Sequence, residues 1–263
     1  MANTPVVVLD DTLTDIANAI RGKNGSSDTY RPGQMADAID NIPAGTLGIP
    51  REVSQTGVYR PPEQNFTFSL PSNATDVSSS ALNAAFQGCT GLTSVDFSSL
   101  TTVSGSKAFY YAFYTCSSLA SVDFSSLITV SGFNAFESAF SRCTSLPSVD
   151  LSSLTTVSGS NALNYAFYMC TSLASVDLSS LTTVSGSKAF GYAFQGCTSL
   201  TSVSFPALTT SSFGTATNQF DNMLVGVTGC TVHFPASIQS TIGNWTSVQN
   251  GFGGTNTTVL FDL

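Results

Sequence analysis

The chain has 263 residues, of which 42% are hydrophobic and only 9% charged, with 8 Lys and Arg against 16 Asp and Glu. The apolar share is ample for a core, while a net charge of −8 argues against nucleic acid, whose phosphates need clustered cations. No run of about 18 apolar residues is present, so no membrane insertion is expected.

The N-terminal stretch has neither a basic region nor a long apolar run. It therefore does not read as a secretory signal. On that reading the chain is made in the cytoplasm, and it reaches the outside by lysis, by a non-Sec route, or after earlier trimming. Residues 11–21 read as a short amphipathic helix with Leu13, Ile16 and Ile20 on one face. Pro32 opens a second, with Met35, Ile39 and Ile42 as its stripe. Two helices this short cannot stand alone, so residues 1–45 are expected to pack on the rest, to oligomerise, or to dock on a partner. Residues 46–64 are proline-rich and read as a linker or cap.

From there the chain repeats. Cys89, Cys116, Cys143, Cys170 and Cys197 are spaced evenly, and columns of Leu, Val and Phe or Leu keep the same period. A fixed period in this range means one supersecondary unit copied and stacked. The full copies are 90–116, 117–143, 144–170 and 171–197, preceded by an imperfect one beginning at Phe66 and followed by a longer one ending at Cys230. Within one copy, Leu92–Phe97 alternates as a half-buried strand and Leu100–Val103 forms a second extended piece. Gly105 turns the chain. Lys107–Cys116 then reads as a helix, with Ala108, Phe109, Ala112, Phe113 and Cys116 inward. The fold class is an α/β repeat: a leucine-rich-repeat solenoid of about five to six strand-turn-helix units over residues 65–230. A C-terminal cap over 231–263 contains two strands, Thr231–Phe234 and Thr258–Phe261. Stacked helices lie about 8–10 Å apart, beyond the reach of a disulfide, so the cysteines are expected to be reduced core thiols.

The run Ala112-Phe-Tyr-Thr-Cys-Ser-Ser-Leu-Ala-Ser-Val-Asp-Phe124 resembles the BspA-like leucine-rich repeats of bacterial and some protist surface proteins. The resemblance spans about 66–235 and extends to the ending Gly229–Ile238 with Asn244-Trp245. It implies adhesion and recognition, with no catalytic set to transfer. The head, Leu13–Arg21 with Tyr30–Ile39, is similar to short N-terminal modules of tail-associated phage proteins.

Two columns are candidate ligand-binding sites. Asp96, Asp123, Asp150 and Asp177 form an outward carboxylate ladder on the strand, read as the concave face. It binds a sugar, a cation or a basic partner, or else is a local hydrogen-bonding device copied with the repeat. On the opposite face, read as convex, the outward positions vary between copies: Tyr110, Glu137, Asn164 and Gly191; Tyr111, Ser138, Tyr165 and Tyr192; Tyr114, Ser141, Tyr168 and Gln195. Exposed tyrosine is a rigid, amphipathic recognition residue, although drift on a tolerant face, or tyrosine covering its neighbour, produces the same variation. His233 has no nucleophile motif beside it, and identical stacked Asp residues do not supply differentiated acid and base roles. No enzymatic activity, cofactor or metal is expected.

Two readings result. The first is a phage virion component, docked to other virion proteins or homo-oligomerised through residues 1–45 and binding a host-cell surface protein or glycan. The alternative is an extracellular or bacterial cell-surface adhesin binding host or neighbour-cell molecules.

Overall fold

The computed structural model describes residues 66–69, 75–78, 80–209, 218–239 and 251–263. The expected N-terminal helices and the linker lie outside them. The strands are β1 (Phe66–Ser69), β2 (Leu92–Asp96), β3 (Thr102–Val103), β4 (Ser121–Asp123), β5 (Thr129–Val130) and β6 (Ser148–Asp150). They continue with β7 (Thr156–Val157), β8 (Ser175–Asp177), β9 (Thr183–Val184), β10 (Ser202–Ser204), β11 (Thr231–Phe234) and β12 (Thr258–Phe261). Their pairing is parallel throughout, in sheets ordered β1-β2-β4-β6-β8, β3-β5-β7-β9 and β10-β11-β12. Each coil contributes one strand to a sheet and steps to the next coil in register, so Asp96 lies opposite Asp123 and Asp150 opposite Asp177. The two strands expected in the C-terminal cap are present. As β11 and β12 they pair in parallel with β10.

The expected helix is absent. Lys107–Cys116 and its copies form a ribbon of consecutive tight turns, and the strand-turn-helix description is corrected accordingly. Along the ribbon, alternate residues divide the hydrogen bonding. Phe109, Tyr111 and Phe113 donate their N–H to Ala135, Glu137 and Ala139 of the next coil. Tyr110, Ala112 and Tyr114 donate theirs back three residues within the coil. The two sets together pair most of the ribbon's inner peptides, as buried backbone requires. An isolated helix would spend the same groups internally and tie nothing to its neighbour.

The geometry repeats every four residues, with left-handed backbone at Lys107 (φ 58), Tyr111 (φ 54) and Thr115 (φ 61). Such a conformation costs a non-glycine residue about 1–2 kcal/mol. Asn134, Asn161 and Gly196 reduce that cost where they occupy equivalent positions. The ribbon begins at a column of glycines. A Cβ on Gly132, Gly159 or Gly186 would run into the carbonyl oxygen of the glycine in the preceding coil.

One continuous core fills the interior. Phe86, Phe113, Phe140, Phe167 and Phe194 form a stack, with successive centroids 5.1–5.7 Å apart and planes within 12° of parallel. Beside it runs the cysteine column. The Sγ of Cys116, Cys143, Cys170 and Cys197 donate to the carbonyls of Phe86, Phe113, Phe140 and Phe167 at 3.0–3.2 Å. Burial pushes the Cys170 thiol up to about 12 and Cys230 to about 11. The thiols are free, but the helix-spacing argument for that state does not hold. Coils joined by parallel pairing lie about 4.8 Å apart, within the Cα separation a disulfide spans. What disfavours bridging is the sulfhydryl's own hydrogen bond and a pKa that leaves almost no thiolate to react.

Candidate recognition surface

Two outward surfaces carry the candidate residues: the open side of the larger sheet and the outer side of the turn ribbon. The sheet brings Asp96, Asp123, Asp150 and Asp177 together as a ladder, all exposed. In each coil the carboxylate Oδ1 accepts the backbone N–H two residues on, from Ser98, Ser125, Ser152 and Ser179, at 2.9 Å. These are Asx turns that end the strands. Hydrogen bonds from Ser98 and from Ser152 hold the Asp96 and Asp150 carboxyls below the usual range, so both stay ionised.

The column's departures from Asp follow the same logic. Ser69, Ser204 and His233 occupy it elsewhere, and each is followed two residues later by proline: Pro71, Pro206 and Pro235. Proline has no N–H to give. Asp is therefore present where a donor exists and absent where proline removes it. The last coil is the exception, with Leu260 two residues before Asp262. The ladder's composition is thus accounted for by local turn chemistry. A shallow groove of about 480 Å³ crosses its end, between Asp150, Asp177, Ser179, Ser204 and Pro206. Beyond Ser204, His233 Nδ1 pairs with Asp262 at 2.9 Å. Among the described residues no hydroxyl is hydrogen-bonded to that imidazole, and no group of three His, Cys, Asp or Glu is placed to hold a metal. No described helix is long and apolar enough to cross a membrane.

The ribbon collects all six candidate tyrosines, each half-buried. Tyr110, Tyr111 and Tyr114 form one cluster, with centroids 4.5 and 5.2 Å apart. Tyr165, Tyr168 and Tyr192 form another, Tyr165 and Tyr192 lying parallel at 4.6 Å. The coil between them carries Glu137, Ser138 and Ser141, and both serines are buried. Lys107 sits over the Tyr110 ring at 5.2 Å and Arg142 over Tyr168 at 5.9 Å. Burial, with Glu137 nearby, raises the Tyr110 hydroxyl pKa; burial with neighbouring Tyr192 raises that of Tyr165. Tyr111, Tyr165 and Tyr192 all occupy left-handed positions, at φ 54° in each case.

With that geometry established, the sequence matches the model of the BspA type leucine rich repeat region in six copies, over residues 66–190 and 110–217. The chain belongs to that family. It is a family of repeat scaffolds for binding. Among solved structures the chain is similar to a leucine rich repeat protein from T. pallidum, at 21% identity over 74% of this chain and 87% of that one, with a TM-score of 0.37. A second is from Bacteroides ovatus, at 22% identity over 65% and 52%, with a TM-score of 0.35. A third is a leucine rich cell surface protein from Faecalibacterium prausnitzii, at 14% identity over 73% and 78%, with a TM-score of 0.21. No curated protein matches the chain at a significant level.

Proposed function

We propose that this is a non-enzymatic recognition protein, secreted or held at a bacterial surface, whose tyrosine ribbon binds a protein or glycan of a host or neighbouring cell. The observation that carries this reading is where the tyrosines sit. The fold does not require them: the same columns accept Ser138, Ser141, Asn164, Gly191 and Gln195. Three of them stand in left-handed backbone that Gly or Asn occupies at lower cost. Strained, bulky, half-exposed aromatics gathered on one face fit a binding role better than a packing role. The Asp ladder, by contrast, already has a structural task. It ranks second as a binding surface.

Binding of the labelled protein to bacterial and epithelial cells tests the reading. Replacing Tyr111 and Tyr165 with Ser should abolish retention, while replacing Asp123 and Asp150 with Asn should preserve it. The opposite pattern moves the site to the sheet.

A tail-associated virion component is the second reading. Its support is the sequence of residues 1–45 alone, and neither the fold nor the family match adds to it. Deleting those residues separates the two. A virion protein loses assembly with its partners or its homo-oligomeric state, whereas a surface adhesin keeps its binding.

A further inference from the structure

Among the described residues, the strands that carry the Asp column run from β1 to β12 with one interruption. They pair in parallel at each step but that from β8 to β10, which share no paired residue although they are neighbours in space. Along a strand, alternate residues turn their N–H and C=O towards opposite neighbours. Phe97 and Leu151 donate onward to the carbonyls of Asp123 and Asp177, so Val176 and Leu178, which hold the corresponding places, face β10. Phe205 donates onward to His233, so Ser204 before it faces back towards β8. No backbone hydrogen bond joins Val176 or Leu178 to Ser202 or Ser204 among the described residues. The N–H groups of Val176 and Ser204 therefore meet across the break without a main-chain partner, where strand backbone ordinarily has one. Val176 is also the most exposed valine of its column, at 9% against 7% or less for the others.

The groove of about 480 Å³ lies over this break, with Val176, Asp177, Ser179, Ser204 and Pro206 in its lining. Its size falls among small-molecule sites, which run from about 300 to 1,000 Å³. It is open: Asp177, Ser179 and Pro206 are exposed and Ser204 is half-buried. The Ser179 N–H occupies Asp177 Oδ1, which leaves Oδ2 to accept from a ligand. Donors and acceptors thus stand side by side, with the Pro206 ring as an apolar wall. A cation satisfies the carboxylate and leaves the N–H groups unpaired, and an apolar molecule satisfies neither. A hydroxyl both donates and accepts, and a pyranose ring adds a C–H face that packs on proline. We propose that the groove between β8 and β10 binds a neutral saccharide, whose hydroxyls donate to Asp177 Oδ2 and accept from the Val176 and Ser204 N–H groups. This site is additional to the tyrosine ribbon and does not depend on it.

The test follows backbone amides of the whole protein by NMR, first by hydrogen exchange and then by titration. In the free protein the Val176 amide should exchange much faster than that of Val95, whose strand is paired onward. The probes are methyl β-glucoside, methyl β-galactoside and N-acetylglucosamine, each taken to about 20 mM, which saturates a site of millimolar Kd. At least one should give saturable shifts at residues 176–179 and 204 and slow the exchange of Val176. Asp177→Asn keeps the turn and should weaken that binding at least fivefold. Asp96→Asn, which alters the same turn in the continuous part of the sheet, should leave it unchanged, as should Tyr111→Ser with Tyr165→Ser. Val176 exchange as slow as that of Val95 overturns the proposal, because the break is then closed. So does the absence of saturable shifts with all three sugars, or a response to arginine ethyl ester alone, which marks a merely acidic surface. Equal weakening by Asp96→Asn and Asp177→Asn overturns it too. None of these results touches the ribbon, whose own test is retention on cells.

Discussion

The Asx turn at Asp150 offers a quantitative test of why the ladder is acidic. Its Oδ1 accepts the Ser152 N–H at 2.9 Å. A hydrogen bond to a charged group contributes about 1.5–3 kcal/mol when water is excluded. Asp150 is exposed, so competition from water and screening reduce this to about 0.5–1 kcal/mol. Its register partners Asp123 and Asp177 oppose it, by at most about 0.9 kcal/mol each at 4.8 Å in unscreened water; salt and the freedom of exposed carboxylates to splay apart reduce the two together to a few tenths of a kcal/mol. Asp150→Asn keeps the acceptor and removes two repulsions, so stability should hold or rise by a few tenths of a kcal/mol on those figures. Asp150→Ser exchanges the carboxylate for a weaker hydroxyl acceptor and should cost about 0.5 kcal/mol net. Ser152→Pro removes the donor but restricts the unfolded chain, which returns about 0.4–1 kcal/mol. The backbone accepts it, since Pro206 and Pro235 fill that place in other coils. The double substitution recreates the Ser204–Pro206 arrangement, and there Asp150→Ser should cost nothing further. Urea unfolding of the four proteins in a double-mutant cycle measures this. Strict additivity, or Asp150→Asn as damaging as Asp150→Ser, refutes the turn account.

Gly159→Ala should unfold or severely destabilise the chain, because the new Cβ would have to displace the backbone of Gly132 and Ser131; a melting temperature within a few degrees of the parent contradicts the stacking described. Glu137 has its pKa raised by burial, so the ionised form is disfavoured by folding. Its penalty is present at neutral pH and disappears as pH falls through the folded pKa towards the ordinary value of 4.5. Glu137→Gln should therefore stabilise at pH 7 and become neutral below that value, read by thermal melts across pH. Thiol titration of the unreduced protein should find all six cysteines after denaturation and little reaction while folded, since burial suppresses the thiolate. Two or fewer after denaturation means the column is bridged.

The strands were legible because their signal is local. Leu92-Thr-Ser-Val-Asp-Phe97 alternates with the period of an extended chain, and its copies fix a parallel register by repetition alone. The ribbon was misread because its apolar pattern, Ala108, Phe109, Ala112, Phe113 and Cys116, satisfies a helix over two turns. The distinguishing signal is that the period is four rather than 3.6 residues. A helical face would drift by about 40° with each such step, whereas these positions do not drift at all. Asn134, Asn161 and Gly196 marked the left-handed positions. The helix reading then propagated into the cysteine argument by imposing the wrong distance between coils. At the two outward surfaces the columns could be named from the repeat, but the groups they contact could not. The Asp column's dependence on a donor two residues on was already visible in Pro71, Pro206 and Pro235. The sealed, unpaired oxygens of Glu137 and Asn164 depend on how neighbouring coils cover them, which no linear pattern states.

Chemical footprinting of the cell-bound protein is the most direct test that the ribbon, and not the ladder, recognises the partner. Iodination reports tyrosine exposure and carbodiimide labelling reports carboxylates, each read by mass spectrometry on free and bound protein. Ribbon recognition predicts that Tyr111 and Tyr165 lose reactivity on binding while Asp123 and Asp150 keep theirs. Protection of Asp123 and Asp150 with the tyrosines unchanged contradicts it.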